Sequence, residues 1–275
     1  MARHNYVNVI GFVSEKPEFN ECLDGKIGYV EITTIMPTRE LIKAKTGYQL
    51  NSVIFPMKTT DQRLIEKMEL LEEGDIILID GFIATYDVEK KSQCPHCGIV
   101  NRRMDACVVN GAEKAGGTDI YVYPIDFYFL EHLDETEDLY MYLRERGEAV
   151  NKVFLLGNMT KQPITGELDN GKKIYTRYQV AINRKFCPKN SNDVLKRTDY
   201  PWIYSYGDKA TEDFQSLDKG ALIFVDGALQ ARKYKERYIC PHCGEEYESR
   251  GRTLEVLSYD TEYLRLPSFE NNQNL

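Results

Sequence analysis

The residues with the most distinctive chemistry in this chain are two identical cysteine motifs. Residues 94–98 read Cys-Pro-His-Cys-Gly, and residues 240–244 repeat that order 146 positions later. The turn in a C-x2-C motif aims two thiolates at one metal ion, whereas a structural zinc site needs four ligands. Each motif therefore indicates zinc chemistry, and each is by itself half of a site.

The sequence leaves three ways to complete such a site. The first motif is followed by Cys107, so the three cysteines of the first half could hold zinc with a fourth ligand such as His96. The two motifs could instead meet as one four-thiolate site, within a chain or between chains. In the third alternative, both motifs are relics of an ancestral zinc ribbon and bind nothing. The candidate ligands are Cys94, Cys97, Cys107, Cys240 and Cys243, and no cofactor other than zinc is expected.

The offset of 146 residues is not confined to the cysteines. Gly11 matches Gly157, and the pair at residues 80–81, Asp-Gly, matches the pair at residues 226–227. The chain is therefore an internal duplication rather than a short repeat. We expect a first copy at residues 1–133, a connecting helix or linker at 134–150, a second copy at 151–266 and a short tail at 267–275. The cysteine motifs would lie in insertions at residues 94–118 and 240–252.

Composition places the chain among ordinary globular proteins. Of its 275 residues 42% are hydrophobic and 28% charged, and no window approaches the roughly 20 apolar residues of a membrane span. Seven cysteines, four of them in the paired motifs, suit a reducing compartment. We therefore expect a cytoplasmic protein with no membrane partner.

The two copies differ in charge. The chain has a net charge of −8, but residues 1–150 carry 16 basic and 26 acidic side chains, against 19 and 17 in residues 151–275. Residues 151–240 alone carry 16 basic and 10 acidic side chains. A local surplus of this kind is typical of a surface that follows a phosphate backbone. A nucleic acid is thus not excluded as a partner, and we expect it on the second copy.

Strand patterns dominate the second copy. Strands are predicted at residues 153–157, 173–181, 200–206, 221–231 and 253–264, with an Asn-Gly hairpin signal at 169–171 and one short helix at 208–217. A mainly β fold with five strands and a helix between the third and fourth is the plan of an OB barrel. The sequence thus predicts two tandem OB barrels, each with a hairpin insertion between its last two strands that carries the cysteine motif.

The order of motifs in the second copy resembles the bacterial single-stranded-DNA-binding protein family. The resemblance is carried by the segments NKVFLLGNMTKQP, RYQVAINRKF and YGDKATEDFQSLDKGALIFVDGALQARKY, and it is fainter over residues 5–90. It implies sequence-independent binding of single-stranded DNA in replication, recombination, repair or mobile-element transfer. It also implies four OB barrels in the assembly, and so a homodimer of this two-barrel chain. The terminal residues SFENNQNL lack the acidic tip with which relatives recruit other proteins.

Aromatic residues are concentrated in the second copy. Residues 176–227 contain eight, whereas the matching window 30–81 contains two. Aromatic side chains on an OB face hold single strands without reading their sequence. By the resemblance, bases stack on Phe186, Tyr200, Tyr206 and Tyr234, and we add Trp202. Phe214, Phe224 and one of Trp202 or Tyr204 are expected in the core. The basic candidates for phosphate contacts are Lys152, Arg177, Arg184, Arg232, Lys233 and Lys235.

Enzymatic patterns are weak. Residues 166–172 fit G-x4-G-K, but Lys173 stands where a Ser or Thr would bind magnesium, so we interpret the segment as a hairpin turn. The four histidines are scattered, and we expect no enzyme. Two alternatives to a DNA-binding protein remain. One is an adaptor whose acidic first copy docks a replication or recombination protein, and the other is a single-stranded RNA binder.

Overall fold

A computed structural model describes residues 4–22, 25–36, 52–88, 91–102, 107–108, 117–168, 173–184 and 198–266. The prediction of a mainly β protein is confirmed. The first half comprises β1 (Asn5–Val13), β2 (Glu18–Cys22), β3 (Gly25–Ile35), β4 (Ser52–Thr59), α1 (Gln62–Met68), β5 (Asp75–Val88), β6 (Lys91–Gln93), β7 (Val100–Arg102), β8 (Cys107–Val108) and β9 (Gly117–His132).

A connecting helix, α2 (Thr136–Glu145), and a 3-10 turn (Gly147–Val150) lead into the second half. That half comprises β10 (Asn151–Met159), β11 (Ile164–Leu168), β12 (Lys173–Asn183), β13 (Thr198–Asp199), β14 (Trp202–Tyr206), α3 (Asp208–Ser216), β15 (Leu222–Ile239) and β16 (Glu246–Arg265). Leu139 and Leu143 of α2 are buried with Phe12 and Ile76, so the connecting helix packs its apolar stripe on the first half.

Strand pairing closes a ring of five strands in each half. In the first half β1 pairs with β3 and β5, β3 with β4, β5 with β9, and β4 with β9 in parallel. In the second half β10 pairs with β12 and β15, β12 with β14, β15 with β16, and β14 with β16 in parallel. Each ring has one helix between its third and fourth strands, which is the order of an OB barrel.

The repeated Asp-Gly pair has a structural cause. In both halves the pairing register shifts between this Asp and this Gly, which is a β-bulge. A Cβ at Gly81 would lie 2.6 Å from the carbonyl oxygen of Tyr123, and one at Gly227 would lie 2.1 Å from that of Leu257. Only glycine lets the two backbones approach so closely, so both copies need glycine where the barrel bends.

The two halves form one continuous sheet. β1 pairs antiparallel with β10, and Val7 lies opposite Val153, its own counterpart at the offset of 146 residues. A local two-fold axis therefore passes between these two strands. Buried side chains of both halves, such as Val9 and Leu155, belong to one hydrophobic cluster. The halves are thus packed as one body.

The last two strands are longer than predicted. Strands expected at 221–231 and 253–264 extend to Ile239 and begin at Glu246, and they stay paired over that length. Ala231 and Leu254 are the last of this hairpin to pack against the core. Residues 232–239 and 246–253 therefore form a two-stranded extension beyond the barrel, which we call the ribbon. Within the described residues, no helix is long and apolar enough to cross a membrane.

Candidate nucleic-acid interface and thiol cluster

The outer surface of the second barrel carries a row of aromatic side chains on β12 and β14. Tyr175 pairs with Tyr206, Arg177 with Tyr204, and Gln179 with Trp202. Alternate residues of a strand point to opposite faces, so these six side chains share one face, while Tyr178 and Ile203 point into the core. We call this surface the aromatic face.

Cations accompany the rings of the aromatic face. The guanidinium of Arg177 lies 5.2 Å from the centre of the Trp202 ring, and Lys161 Nζ lies 6.0 Å from it. Lys173 Nζ lies 4.8 Å from the centre of the Tyr206 ring. Trp202 and Tyr206 are partly exposed, and both lysines are exposed. Flat rings flanked by positive charge are suited to stacking bases and contacting the phosphates between them.

Polar side chains of β15 and β16 hold Tyr204 and Tyr206 in place through hydrogen bonds to their hydroxyls. Arg232 donates to Tyr204 Oη at 3.0 Å and pairs with Glu255 at 3.1 Å, while Gln230 donates to Tyr206 Oη at 3.0 Å and to Glu255 at 2.8 Å. Burial raises the pKa of Tyr206 to about 12. Burial also raises the pKa of Glu255, although Arg232 acts in the opposite direction. The tyrosine hydroxyls are thus held neutral in fixed positions.

One of Trp202 and Tyr204 was expected in the core, and Tyr204 is buried while Trp202 is partly exposed. The two side chains nevertheless share one face, because they lie two positions apart on β14. Tyr204 is buried on the outer face, between Tyr206 at 6.5 Å and Tyr175 at 6.0 Å. Phe214 and Phe224 were also expected in the core, but 45% of Phe214 is exposed on α3, and Phe224 is partly exposed.

Other predicted residues lie in different places. Tyr200 is 43% exposed beside this face, and its carbonyl accepts from Gln179. Lys152 lies on β10 opposite Asn8 of β1. Lys233 and Lys235 are exposed on the ribbon. Phe186 and the side chain of Tyr234 lie outside the described part of the chain.

Arg184 is placed inside the protein. Its guanidinium donates to Asp199 at 2.5 and 2.6 Å, and the two side chains are 1% and 0% exposed. Asp199 also accepts from the backbone N–H and hydroxyl of Thr85, in the first half. An arginine engaged in this way is not available to a phosphate. The expectation of a surface contact at Arg184 therefore gives way to a buried ion pair that joins the halves.

The two cysteine motifs meet across the halves. Cys94 Sγ lies 3.7 Å from Cys243 Sγ, Cys97 Sγ lies 3.7 Å from Cys240 Sγ, and all four sulfurs lie within 4.8 Å of one another. A tetrahedral ion with Zn–S bonds of about 2.3 Å sets its sulfurs about 3.8 Å apart. A disulfide would need about 2.05 Å. The thiol cluster thus has the spacing of a four-thiolate metal site.

Both motifs adopt the same turn. The N–H of Gly98 donates to the carbonyl of Cys94, and that of Gly244 donates to Cys240, both at 2.9 Å. The two glycines have φ of 74° and 75°, a left-handed conformation that other residues rarely adopt. The glycine that ends both copies of Cys-Pro-His-Cys-Gly is thereby explained. Cys107 lies on β8, and its side chain is outside the described part of the chain.

A buried polar shell surrounds one sulfur. Asn101 Nδ2 donates to Cys240 Sγ at 3.4 Å and to Tyr247 Oη at 3.1 Å, and Ser92 Oγ lies 2.6 Å from the same hydroxyl. Hydrogen bonds from the N–H groups of Cys243 and His242 and from Asn101 lower the pKa of Cys240 to about 6. Sequence reasoning missed Asn101, because no motif marks it.

Comparisons with known proteins agree with this architecture. A protein with two barrels of this order and an aromatic outer face belongs to the OB-fold class. The model of the single-strand binding protein family matches residues 150–238. Single-stranded DNA-binding protein 1 of Clostridium acetobutylicum is 28% identical over 104 residues, which are 36% of this chain and 92% of that protein. Residues 150–238 therefore match the single-strand binding protein family, and the resemblance inferred from the sequence is confirmed.

Solved structures extend the likeness to the whole chain. The single-stranded DNA binding protein from Thermus aquaticus matches with a TM-score of 0.57 at 17% identity, over 96% of this chain and 95% of that chain. A deletion mutant of that protein gives a TM-score of 0.55 at 18% identity over 98% of both chains. At this identity the likeness concerns the fold, and it covers both halves.

Proposed function

We propose that this chain binds single-stranded DNA without reading its sequence, mainly through the aromatic face of the second half. The observation that carries the proposal is the pairing of partly exposed rings with cations, Trp202 with Arg177 and Tyr206 with Lys173, on a barrel of the single-strand binding protein family. Base stacking contributes roughly 1–3 kcal/mol for each ring. Such a protein would protect strands exposed in replication, recombination, repair or mobile-element transfer.

The test replaces Tyr200, Trp202 and Tyr206 together with Ala. If each ring contributes about 1–3 kcal/mol, binding to an oligothymidylate should weaken by at least about a hundredfold, although such effects need not add. Fluorescence anisotropy with matched single-stranded DNA, single-stranded RNA and duplex DNA measures affinity and preference together. Phe214→Ala is the matched control, because Phe214 is an exposed ring on α3.

Near-wild-type affinity in the triple variant, with an unchanged circular dichroism spectrum, contradicts the assignment. Tighter binding of RNA than of DNA would favour the alternative of a single-stranded RNA binder. The adaptor alternative uses another surface, in the first half. There Leu70 and Phe129 are 80% and 59% exposed beside Lys67 and His132, a surface on which a replication or recombination protein could dock.

We propose that the thiol cluster holds one zinc ion per chain. The support is the spacing of four sulfurs drawn from both halves, which favours the shared four-thiolate arrangement over a site of Cys94, Cys97 and Cys107. Bound zinc would act as a structural centre there, because four protein ligands leave no open coordination position.

We also propose a homodimer with four barrels. The edges of β1 and β10 are already paired within the chain, so they are not the contact between chains. The supporting surface is the outer face of the joined sheet. Tyr6 stacks on Phe154 at 6.3 Å, and Phe154 stacks on Phe224 at 6.1 Å, so a row of partly exposed rings crosses both halves.

A further inference from the structure

The thiol cluster lies at the end of the ribbon. Cys240 and Cys243 form the turn between the two ribbon strands, and Cys94 and Cys97 belong to a short hairpin of the first half, β6 and β7. The contacts of the cluster therefore join the tip of the ribbon to the other half of the molecule. The sequence separations of its two sulfur pairs are 149 and 143 residues.

The ribbon depends on that attachment. An isolated two-stranded hairpin is marginal in water, and the ribbon begins where the core of the barrel ends. In the described part of the chain its tip meets the first half through the thiol cluster, through the bond of Tyr247 to Ser92 and Asn101, and through the pairing of Tyr238 and Ile239 with β8. Of these attachments, the thiol cluster is the one whose strength depends on a bound metal ion.

The ribbon is also positively charged and adjoins the aromatic face. Residues 232–253 contain six Lys or Arg and four Glu. At the base of the ribbon, Arg232 contacts the hydroxyl of Tyr204, within the aromatic face. Lys233, Lys235, Arg237, Arg250 and Arg252 are exposed along its length. By alternation along the strands, these five side chains lie on the face of the ribbon opposite to Arg232, and Lys235 and Arg250 pair with Glu248. A strand that leaves the aromatic face and continues across the ribbon would meet them if the ribbon is held in place.

We infer that zinc in the thiol cluster fastens the ribbon to the first half and thereby sets the affinity of the protein for single-stranded DNA. The inference rests on the proposed function. With zinc bound, the ribbon is held where it adjoins the aromatic face at Arg232, and its basic side chains contact the phosphates of a strand that continues across it. Without zinc, the four cysteines no longer share an ion, the ribbon tip is released, and ordering it on the strand costs conformational entropy.

The experiment compares the full-length protein with zinc, after removal of zinc by a chelator under reducing conditions, and after zinc is restored. Affinity for an oligothymidylate is measured across a salt series. We expect removal to weaken binding about tenfold and restoration to recover it. The dependence of log affinity on log salt should become shallower by about 0.7 for each phosphate that the released ribbon no longer neutralises. Elemental analysis should give one zinc per chain.

Cysteine variants distinguish the effect of losing zinc from any other effect of the chelator. Replacing Cys94 and Cys97 with Ser removes two ligands without touching the ribbon, and should reproduce the zinc-free affinity. His96→Ala with His242→Ala is the matched control, because both histidines are exposed in the same turns and outside the cluster; this variant should keep its zinc and its affinity.

Limited trypsin digestion supplies a readout independent of DNA. Cleavage at the exposed ribbon residues Lys233, Lys235, Arg237, Arg250 and Arg252 should accelerate when zinc is removed. If the zinc-bound and zinc-free forms bind DNA equally well, the inference is wrong while the proposed function stands. If neither form binds DNA, the proposed function is wrong, and the digestion still decides whether zinc fastens the ribbon. Protein purified without chelator that contains no zinc overturns the inference outright.

Discussion

At the scale of single residues, Arg184 shows how burial changes the role of a charge. Its ion pair with Asp199 is nearly inaccessible to water, and Asp199 also holds Thr85 of the other half. Removing one partner of a buried pair leaves an unpaired charge and costs about 3–5 kcal/mol. We expect Arg184→Ala to lower the free energy of unfolding by about that amount in urea titrations. Lys233→Ala, at an exposed position, should change it by less than about 0.5 kcal/mol. Equal urea midpoints for Arg184→Ala and Lys233→Ala would contradict this expected difference in stability.

The residues of the aromatic face were partly predictable. Trp202 and Tyr206 follow from the period of two along one strand and from the resemblance. Tyr175 and Lys173 were missed, although Arg177 of the same strand was predicted, because the sequence does not give the register that brings them beside Tyr206. Arg184 was misjudged for a related reason. Its partner Asp199 is 15 residues away, and the antiparallel pairing of β12 with β13 brings the two side chains together.

At the scale of elements, one asparagine in each half replaces missing strand pairing. Asn151 accepts from the N–H of Leu229 at 2.8 Å and donates to its carbonyl at 2.9 Å, and Asn5 does the same for Ile83, the counterpart of Leu229. Asn151 is fully buried, whereas Asn5 is partly exposed. Asn151→Ala should therefore cost about 2–4 kcal/mol, since two backbone groups are left without partners away from water.

Asn5→Ala is the matched control for that substitution. Water can take the place of the asparagine at the more exposed position, so we expect a cost of about 1 kcal/mol. Thermal and urea unfolding of both variants measures the difference. A cost for Asn5→Ala as large as that for Asn151→Ala would show that water does not replace the asparagine there.

The elements themselves could be predicted with their order but not with all their ends. The helix at residues 208–216 follows from charge spacing and the Lys-Gly that ends it, and the strand beginning at Lys173 follows from its β-branched and aromatic residues. The ribbon was missed because residues 232–239 are mostly charged, and a strand without an apolar face resembles a loop in sequence. This part of the strand is stabilised by its pairing with β16 and by its contact with the thiol cluster, and not by hydrophobic alternation.

At the scale of the whole molecule, the duplication determines the thiol cluster. Because Val7 lies opposite its counterpart Val153, equivalent groups of the two halves are related by a local two-fold axis. The paired sulfurs follow the same rule, since Cys94 meets the counterpart of Cys97 and Cys97 meets the counterpart of Cys94. The sequence revealed the repeat but left three metal arrangements open, because a repeat does not say how its copies face each other.

The same axis defines the surface on which we expect two chains to associate. The row of Tyr6, Phe154 and Phe224 crosses the joined sheet at its centre, and partly exposed apolar rows of this kind mark contacts between proteins. Light scattering at micromolar concentration should therefore give twice the chain mass of 31.8 kDa. Phe154→Glu should give the mass of one chain, because it sets a charge at the middle of the apolar row.

Phe214→Glu is the control for that substitution, since it places the same charge on an exposed ring of α3, away from the joined sheet. It should leave the dimer intact. The aromatic face is separate from the row of rings, so the Phe154→Glu monomer should still bind a short oligothymidylate, but with fewer nucleotides covered per complex. A wild-type protein that remains a monomer with and without DNA rules out the homodimer. A Phe154→Glu protein that remains a dimer shows that the chains meet on another surface.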